Sequence, residues 1–290
     1  MLPVLLNFAF IKIYTAGVFL VLAFFWGLFF LWKNIKLTSF KEEDLFDGVF
    51  VGLLGGLFFA RIFYIILNFG DFGFDILKFI LVNGYPGFSL YGGICGGLLF
   101  FSLFLSAKKM MFIQVIDYVI PPLFLAFAIA KLGGFFSGEA PGAKTSFFLR
   151  VNYSGYEGAR HMTGFYESLL FFLGSYISYR LLFWIRRGII LRGILVWFFL
   201  WYVGSVYLLL DFLKENQLYW GTLNFNITLS AFIIIIFSLY FLILFRKSII
   251  KSLGQLQVFT VQYVTHTFTQ RKRGASKKVD HRGDSAGKKN

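Results

Sequence analysis

Seven stretches of this chain, roughly residues 13 to 32, 46 to 68, 88 to 107, 112 to 136, 165 to 185, 190 to 212 and 226 to 245, are each apolar over about the length a helix needs to cross a hydrocarbon core. The short alternating segments of a membrane β-barrel are absent from the sequence. The expectation is an all-α, polytopic membrane protein of about seven transmembrane helices. Composition agrees: 58% of the 290 residues are hydrophobic and 14% charged, where an ordinary soluble domain has about a quarter charged. A soluble globular domain, a disordered chain and a collagen-like repeat are thereby excluded. The 42 Phe residues are spread through every apolar run, so they read as lipid-facing bulk and not as an aromatic ligand path. A single cysteine, Cys95, rules out a disulfide framework and a multi-cysteine metal site, and it reads as a small buried hydrophobe.

The formal charge of +14 divides unevenly. Residues 246 to 290 hold eleven Lys/Arg against Asp280 and Asp284, a surplus of nine, which leaves +5 for the rest. The tail from about Gln270 reads as a disordered basic segment attracted to anionic lipids of the inner leaflet, with no nucleic acid expected. The stretch Leu253 to Phe268 alternates polar and apolar residues and suits an interface. The reading divides the chain into a transmembrane domain over 1–250 and a tail over 251–290. One set of loops carries Lys33, Lys36, Lys41, Lys108, Lys109, Arg180, Arg186, Arg187 and Arg192 as well as the tail, and the positive-inside bias places that set, with the C-terminus, in the cytoplasm and the N-terminus outside. The first span lacks a preceding basic region and a cleavage site, so it reads as retained. The expected location is a cell membrane, crossed several times.

Charges within spans are expensive and mark function or packing. Arg61, Lys131, Glu139, Arg160, His161 and Glu167 fall inside spans or at their starts and ends, whereas Asp47, Asp117 and Asp211 read as facing headgroups. Small residues four apart accompany them: Gly52 and Gly56, Gly92 and Gly96, Gly93 and Gly97, Ala130 and Gly134. Tight helix crossings around a polar cavity follow from this pattern. Arg61, Lys131 and Arg160 in such a cavity suit an anionic group, and in a membrane that is foremost a lipid phosphate. Pairing of these cations with Glu139 or Asp117 to hold helices together fits the charges equally well. No metal or cofactor is expected.

Five motifs resemble those of one family. The run Ala128-Ile129-Ala130-Lys131-Leu132-Gly133-Gly134-Phe135-Phe136-Ser137-Gly138-Glu139 resembles the A-I-G-R-I-G-N-F-x-N-G-E signature of the prolipoprotein diacylglyceryl transferases. Gly55-Gly56, Ala60-Arg61 and Tyr64 are similar to its G-G-x-x-x-A-R-x-x-Y, and Gly92-Gly93 with Gly96 to its H-G-G-x-x-G. Arg160-His161-Met162-Thr163-Gly164-Phe165-Tyr166-Glu167 resembles R-H-P-T-Q-L-Y-E, and Gly204 with Asp211-Phe212-Leu213-Lys214 is similar to Y-G-x-x-R-x-x-x-E-F-x-R. Tyr14 stands at the tyrosine of the first-span W-Y-G. The resemblance implies seven spans and transfer of a diacylglyceryl group from phosphatidylglycerol to the lipobox cysteine of a prolipoprotein signal peptide. Fixed cations would stabilise the departing phosphate, and the acceptor thiol comes from the substrate.

The departures from the family pattern fall on its catalytic positions. Tyr91 replaces the motif's His, Lys131 its Arg, Gly134 and Ser137 its two Asn, Tyr207 the sixth-span Arg and Val203 the Tyr before it. Lys keeps the charge but lacks the guanidinium fork. A tyrosine, with a reference pKa of about 10, donates a hydrogen bond but is no ready base. The residues assigned on this basis are Glu139, His161, Tyr91 and Tyr207 for catalysis and Lys131, Arg61 and Arg160 for the phosphate. Tyr14, Gly92, Gly93, Gly134, Ser137 and Gly138 would line the site. Three readings stay open: a rebuilt transferase, a non-catalytic or altered-specificity lipid- or lipoprotein-binding protein of the same fold, and a transporter, which the absence of an internal repeat disfavours.

Overall fold

The computed structural model describes residues 3–246 apart from 9–10, 83, 140, 216–217 and 221. The Leu253–Phe268 stretch and the basic tail lie outside the described residues. Seven helices are long and apolar enough to span a membrane: α1 (Thr15–Ile35), α2 (Glu42–Leu67), α5 (Leu90–Ala107), α6 (Phe112–Ser137), α7 (Thr163–Arg186), α8 (Ile194–Leu210, continued by a 3-10 turn to Leu213) and α9 (Phe225–Arg246). Each lies within a few residues of a stretch read from the sequence. Two short helices, α3 (Phe69–Phe72) and α4 (Ile76–Ile80), join α2 to α5. Three antiparallel ribbons occupy the connections: β1 (Val4–Phe8) with β2 (Ile11–Tyr14), β3 (Arg150–Asn152) with β4 (Ala159–His161), and β5 (Tyr219–Trp220) with β6 (Leu223–Asn224). The chain divides into compact units at Phe237/Ser238, within α9. Of the second unit, the described part is the end of that helix, where Tyr240, Phe241 and Phe245 make successive ring contacts.

Without water, helices approach only where side chains are small. Helices α2 and α5 meet along glycines: a Cβ added at Gly96 would lie 2.6 Å from the Gly55 carbonyl, one at Gly52 3.3 Å from the Gly97 carbonyl, and one at Gly56 3.1 Å from the Gly93 carbonyl. On α6 the packing glycine is Gly133, where a Cβ would fall 2.3 Å from Cβ of Phe19 on α1; Gly134 has open space instead, which corrects the expected Ala130/Gly134 pair. Cys95 is exposed on α5 and not buried as the sequence suggested, because the glycines on either side of it take the inward face.

Backbone groups left unpaired in a bilayer must find side chains. Pro121 and Pro122 interrupt α6, and each removes the N–H that the preceding turn would use. Asn34 Nδ2 on α1 donates to the freed Tyr118 carbonyl at 2.9 Å. Asp117 is buried, not facing headgroups: its carboxylate accepts from the N–H groups of Gly193 at 2.6 Å and Leu195 at 3.2 Å, capping α8 from a neighbouring helix. Ser168 Oγ on α7 donates to the Ala128 carbonyl at 2.8 Å and Ser175 Oγ to that of Pro121 at 3.0 Å, which fixes α7 along α6.

Candidate active site

A cavity of about 490 Å³ lies between the α2/α5 pair and helices α6 and α8. Its walls are Gly52, Gly56, Gly93 and Gly97 on one side and Ile116, Leu123, Phe127 and Phe199 on the other. From Ile116 to Lys131 along α6 it extends about 22 Å at 1.5 Å per residue. Lys131, Tyr207 and Ser89 supply polar groups at one end, and the rest is apolar. The shape is a hydrocarbon slot with a polar head.

Several helices build that head. Gly164, near the start of α7, approaches α6 so closely that a Cβ would sit 3.2 Å from the Lys131 carbonyl. Glu167, three residues on and therefore on the same face, meets the Lys131 ammonium at 2.7 Å through Oε2. Its other oxygen, Oε1, pairs with Lys214 Nζ at 2.7 Å, and Lys214 also pairs with Asp211 at 3.2 Å. Lys131 donates to the Tyr207 hydroxyl at 2.8 Å. The Tyr207 ring lies between the two ammonium groups, 5.3 Å from Lys131 Nζ and 4.1 Å from Lys214 Nζ. Tyr91 touches the Tyr207 ring edge-on at 6.0 Å, and its hydroxyl shares a 2.5 Å hydrogen bond with Ser230 Oγ of α9. Asn226, also on α9, donates to Asp211 at 3.5 Å.

Glu167 and Asp211 are nearly inaccessible, and of the two lysines Lys131 is the more exposed at 31% of its side chain against 16%. Two lysines against two carboxylates leave the cluster formally neutral. An ammonium has three donors. Glu167 and Tyr207 take two of those on Lys131, and Lys131 lines the cavity, so a third is left over on the cavity side. Burial and the neighbouring Lys131 charge pull the Lys214 ammonium down; Tyr207, Glu167 and Asp211 more than offset them, and the proton is held above the ordinary lysine value.

Lys214 is positioned by the segment after α6. Gly138 ends that helix in the left-handed region at φ +77°, and the chain then runs between β4 and the turn after α8. Gly142 N–H donates to the His161 carbonyl at 3.2 Å and Ala143 N–H to that of Leu213 at 2.7 Å, while Gly142 bridges Lys214. A Cβ at Gly142 would fall 2.6 Å from the His161 oxygen and 2.9 Å from the Leu213 oxygen, so only glycine admits this three-stranded contact.

Of the residues assigned from the sequence, Tyr91, Lys131 and Tyr207 come together in the cluster, and Gly93 lines the cavity beside them. Gly92 serves the α2/α5 crossing, where a Cβ would lie 2.8 Å from the Phe59 carbonyl. Arg61 is placed elsewhere: its guanidinium donates to the carbonyls of Phe79 at 3.1 Å, Gly87 at 3.0 Å and Lys78 at 2.7 Å. Three of its five donors are engaged there and Arg61 is absent from the cavity lining, so it fastens the α4–α5 connection to α2. Arg160 is buried, pairs with Glu215 and donates to the Gly142 carbonyl at 3.1 Å, while its Nε has no partner among the described residues. His161 stands between the rings of Phe147 and Tyr166, its Nδ1 buried without a partner. Glu139 is exposed just beyond the Gly138 cap, without a carboxylate partner among the described residues; the alternative of cations paired with Glu139 or Asp117 is met instead by Lys131 with Glu167. Ser137 Oγ donates back to the Gly134 carbonyl at 3.1 Å. Tyr14 is exposed at the start of α1 and stands apart from the cavity lining. Asp211 and Lys214 were read from the sequence as a headgroup-facing acid and an outer-loop charge, and otherwise only as matches within the last motif.

Residues 3–244 match the family described as prolipoprotein diacylglyceryl transferase. The chain is 29% identical to a protein of Listeria monocytogenes named phosphatidylglycerol–prolipoprotein diacylglyceryl transferase, over 81% of this chain and 86% of the relative. A protein of the same name from Finegoldia magna is 25% identical over 83% and 95% of the two chains. One from Clostridioides difficile is 28% identical over 55% of this chain, which spans 63% of that relative's length. The match runs from the first ribbon to the last span and takes in every side chain of the cluster, so the chain belongs to the prolipoprotein diacylglyceryl transferase family.

Proposed function

We propose that this protein transfers a diacylglyceryl group from phosphatidylglycerol to the lipobox cysteine of a prolipoprotein in the cell membrane. The observation that carries the reading is the slot with a single polar end, where Lys131 keeps one donor for the cavity. The apolar length takes an acyl chain, and the head places the lipid phosphate against Lys131 and Tyr207. In the reaction the thiolate attacks the glyceryl carbon, the carbon–oxygen bond to phosphate breaks, and glycerol phosphate departs with the negative charge that Lys131 stabilises. Glu139, two turns beyond Lys131 and with no carboxylate partner among the described residues, is the proton acceptor we assign in preference to His161, whose Nδ1 is buried. Arg160 braces the 142–145 segment and, through Glu215, the chain beside Lys214. The Lys/Arg distribution supports an external N-terminus and a cytoplasmic C-terminus.

The test is direct. Purified protein given phosphatidylglycerol and a lipobox peptide is expected to raise the peptide mass by one diacylglyceryl group, and a Cys→Ser peptide to show no change. A well-folded protein that leaves the peptide unmodified across several lipids would remove the transferase reading in favour of a binding protein of the same fold.

A further inference from the structure

A second cavity, of about 330 Å³, lies at the end of the bundle opposite the polar head, where the α1–α2 connection, the first turns of α6, the end of α7 and the start of α8 meet. Its lining carries two cations and one carboxylate, with hydroxyl and amide groups between them. Arg186 and Arg192 stand exposed at its rim, and Ser39 and Tyr118 add hydroxyls. Among the described residues no hydrogen bond or ion pair engages the side chains of Arg186, Ser39 or Tyr118, and Arg192 has only its electrostatic attraction to Asp117. Asp117 is the one carboxylate in the lining, and each of its oxygens accepts an N–H, from Gly193 and Leu195. Two guanidinium groups against one carboxylate leave a net charge of +1.

Two guanidinium groups on one lining, a single surplus positive charge and room for a small head group suit a monoanionic tetrahedral oxyanion, which guanidinium forks bind bidentately. The cavity lies where four spanning helices end, and the ends of spans meet the polar headgroup region. We propose that it is a second lipid site, binding the phosphodiester head group of an anionic lipid between Arg186 and Arg192. It is separate from the reaction cavity, whose lining shares no residue with it. A lipid held there ties the α1–α2 connection to α7 and α8 without taking part in chemistry.

The full-length protein in detergent is titrated with phosphatidylglycerol, phosphatidylcholine or inorganic phosphate, and bound lipid is counted by native mass spectrometry. Wild type is expected to retain one more phosphatidylglycerol than the Arg186→Gln/Arg192→Gln variant, with about tenfold weaker binding of that second lipid in the variant. Phosphatidylcholine should show no such difference, and melting temperature should rise with phosphatidylglycerol more in wild type than in the variant. Transfer at saturating substrate should stay unchanged, which keeps this outcome apart from a failure at the reaction cavity. Equal retention of phosphatidylglycerol by both proteins overturns the proposal. Displacement of the second lipid by inorganic phosphate at equal concentration also overturns it, by showing a free-phosphate site. If the double variant does not fold, Arg186→Gln alone, at an exposed position, reads the same difference.

Discussion

Replacing Lys131 with Met is expected to lower diacylglyceryl transfer by about 10²- to 10³-fold, the usual effect of removing one group that stabilises a developing oxyanion. The size of the effect comes from the cavity. Lys131 is the cation that lines it, and its ammonium has a donor left after Glu167 and Tyr207 are served. Met fills the same volume, so the acyl slot stays intact and the loss falls on the charge. Lys131→Arg keeps the charge, adds a fork suited to phosphate, and is expected to retain or raise transfer. Steady-state rates with a lipobox peptide, taken on protein that elutes as a folded species, check both. Equal rates for wild type, Lys131→Met and Lys131→Arg would remove Lys131 from the site.

The largest effect on stability is expected at Glu167. This buried carboxylate bridges two ammonium groups, one on α6 and one just after α8, at 2.7 Å each. Glu167→Leu leaves Lys131 and Lys214 facing apolar side chains, and breaking a buried pair in this way costs about 3–5 kcal/mol. Asp211 still accompanies Lys214, so the stranded charge is chiefly that of Lys131. The double variant Lys131→Met/Glu167→Leu removes it and is therefore expected to be more stable than Glu167→Leu alone. Unfolding of the three proteins in mixed detergent measures this order. A double variant less stable than the single one would show that the pair is not what holds α6 to α7.

Much of the architecture was legible because a bilayer leaves few options. Apolar length placed all seven spans, and glycines four apart marked the α2/α5 crossing. The motif resemblance placed Tyr91, Lys131 and Tyr207, which do gather in space. Other features depend on tertiary contacts that spacing does not carry. Arg61 is an intramembrane charge like Lys131, but its guanidinium is held by three carbonyls of a connection that folds back over α2. Asp117 and Asp211 sit near span ends, where a headgroup reading is natural; one caps α8 from another helix and the other pairs with Lys214. Lys214 looked like an ordinary loop charge because its burial depends on the close passage of Gly142, a non-local contact. Its signal was its place three residues after Asp211, within the last motif.

The geometry also bears on the departures from the family pattern. Tyr91, Lys131 and Tyr207 do not lie scattered: Tyr207 contacts both of the others, and two ammonium groups flank its ring. An Arg at 207 would bring a third cation between Lys131 and Lys214 with Glu167 already shared, and a His at 91 would replace the hydroxyl bonded to Ser230. On the proposed function, the departures read as one rebuilt site centred on two tyrosines. The most direct measurement is the transfer rate of Tyr91→His/Tyr207→Arg beside that of wild type, each on folded protein. A rate at least about tenfold lower, through a barrier roughly 1.4 kcal/mol higher, is the expected result for a rebuilt site. A rate above wild type would contradict it and show that the present residues impair the reaction.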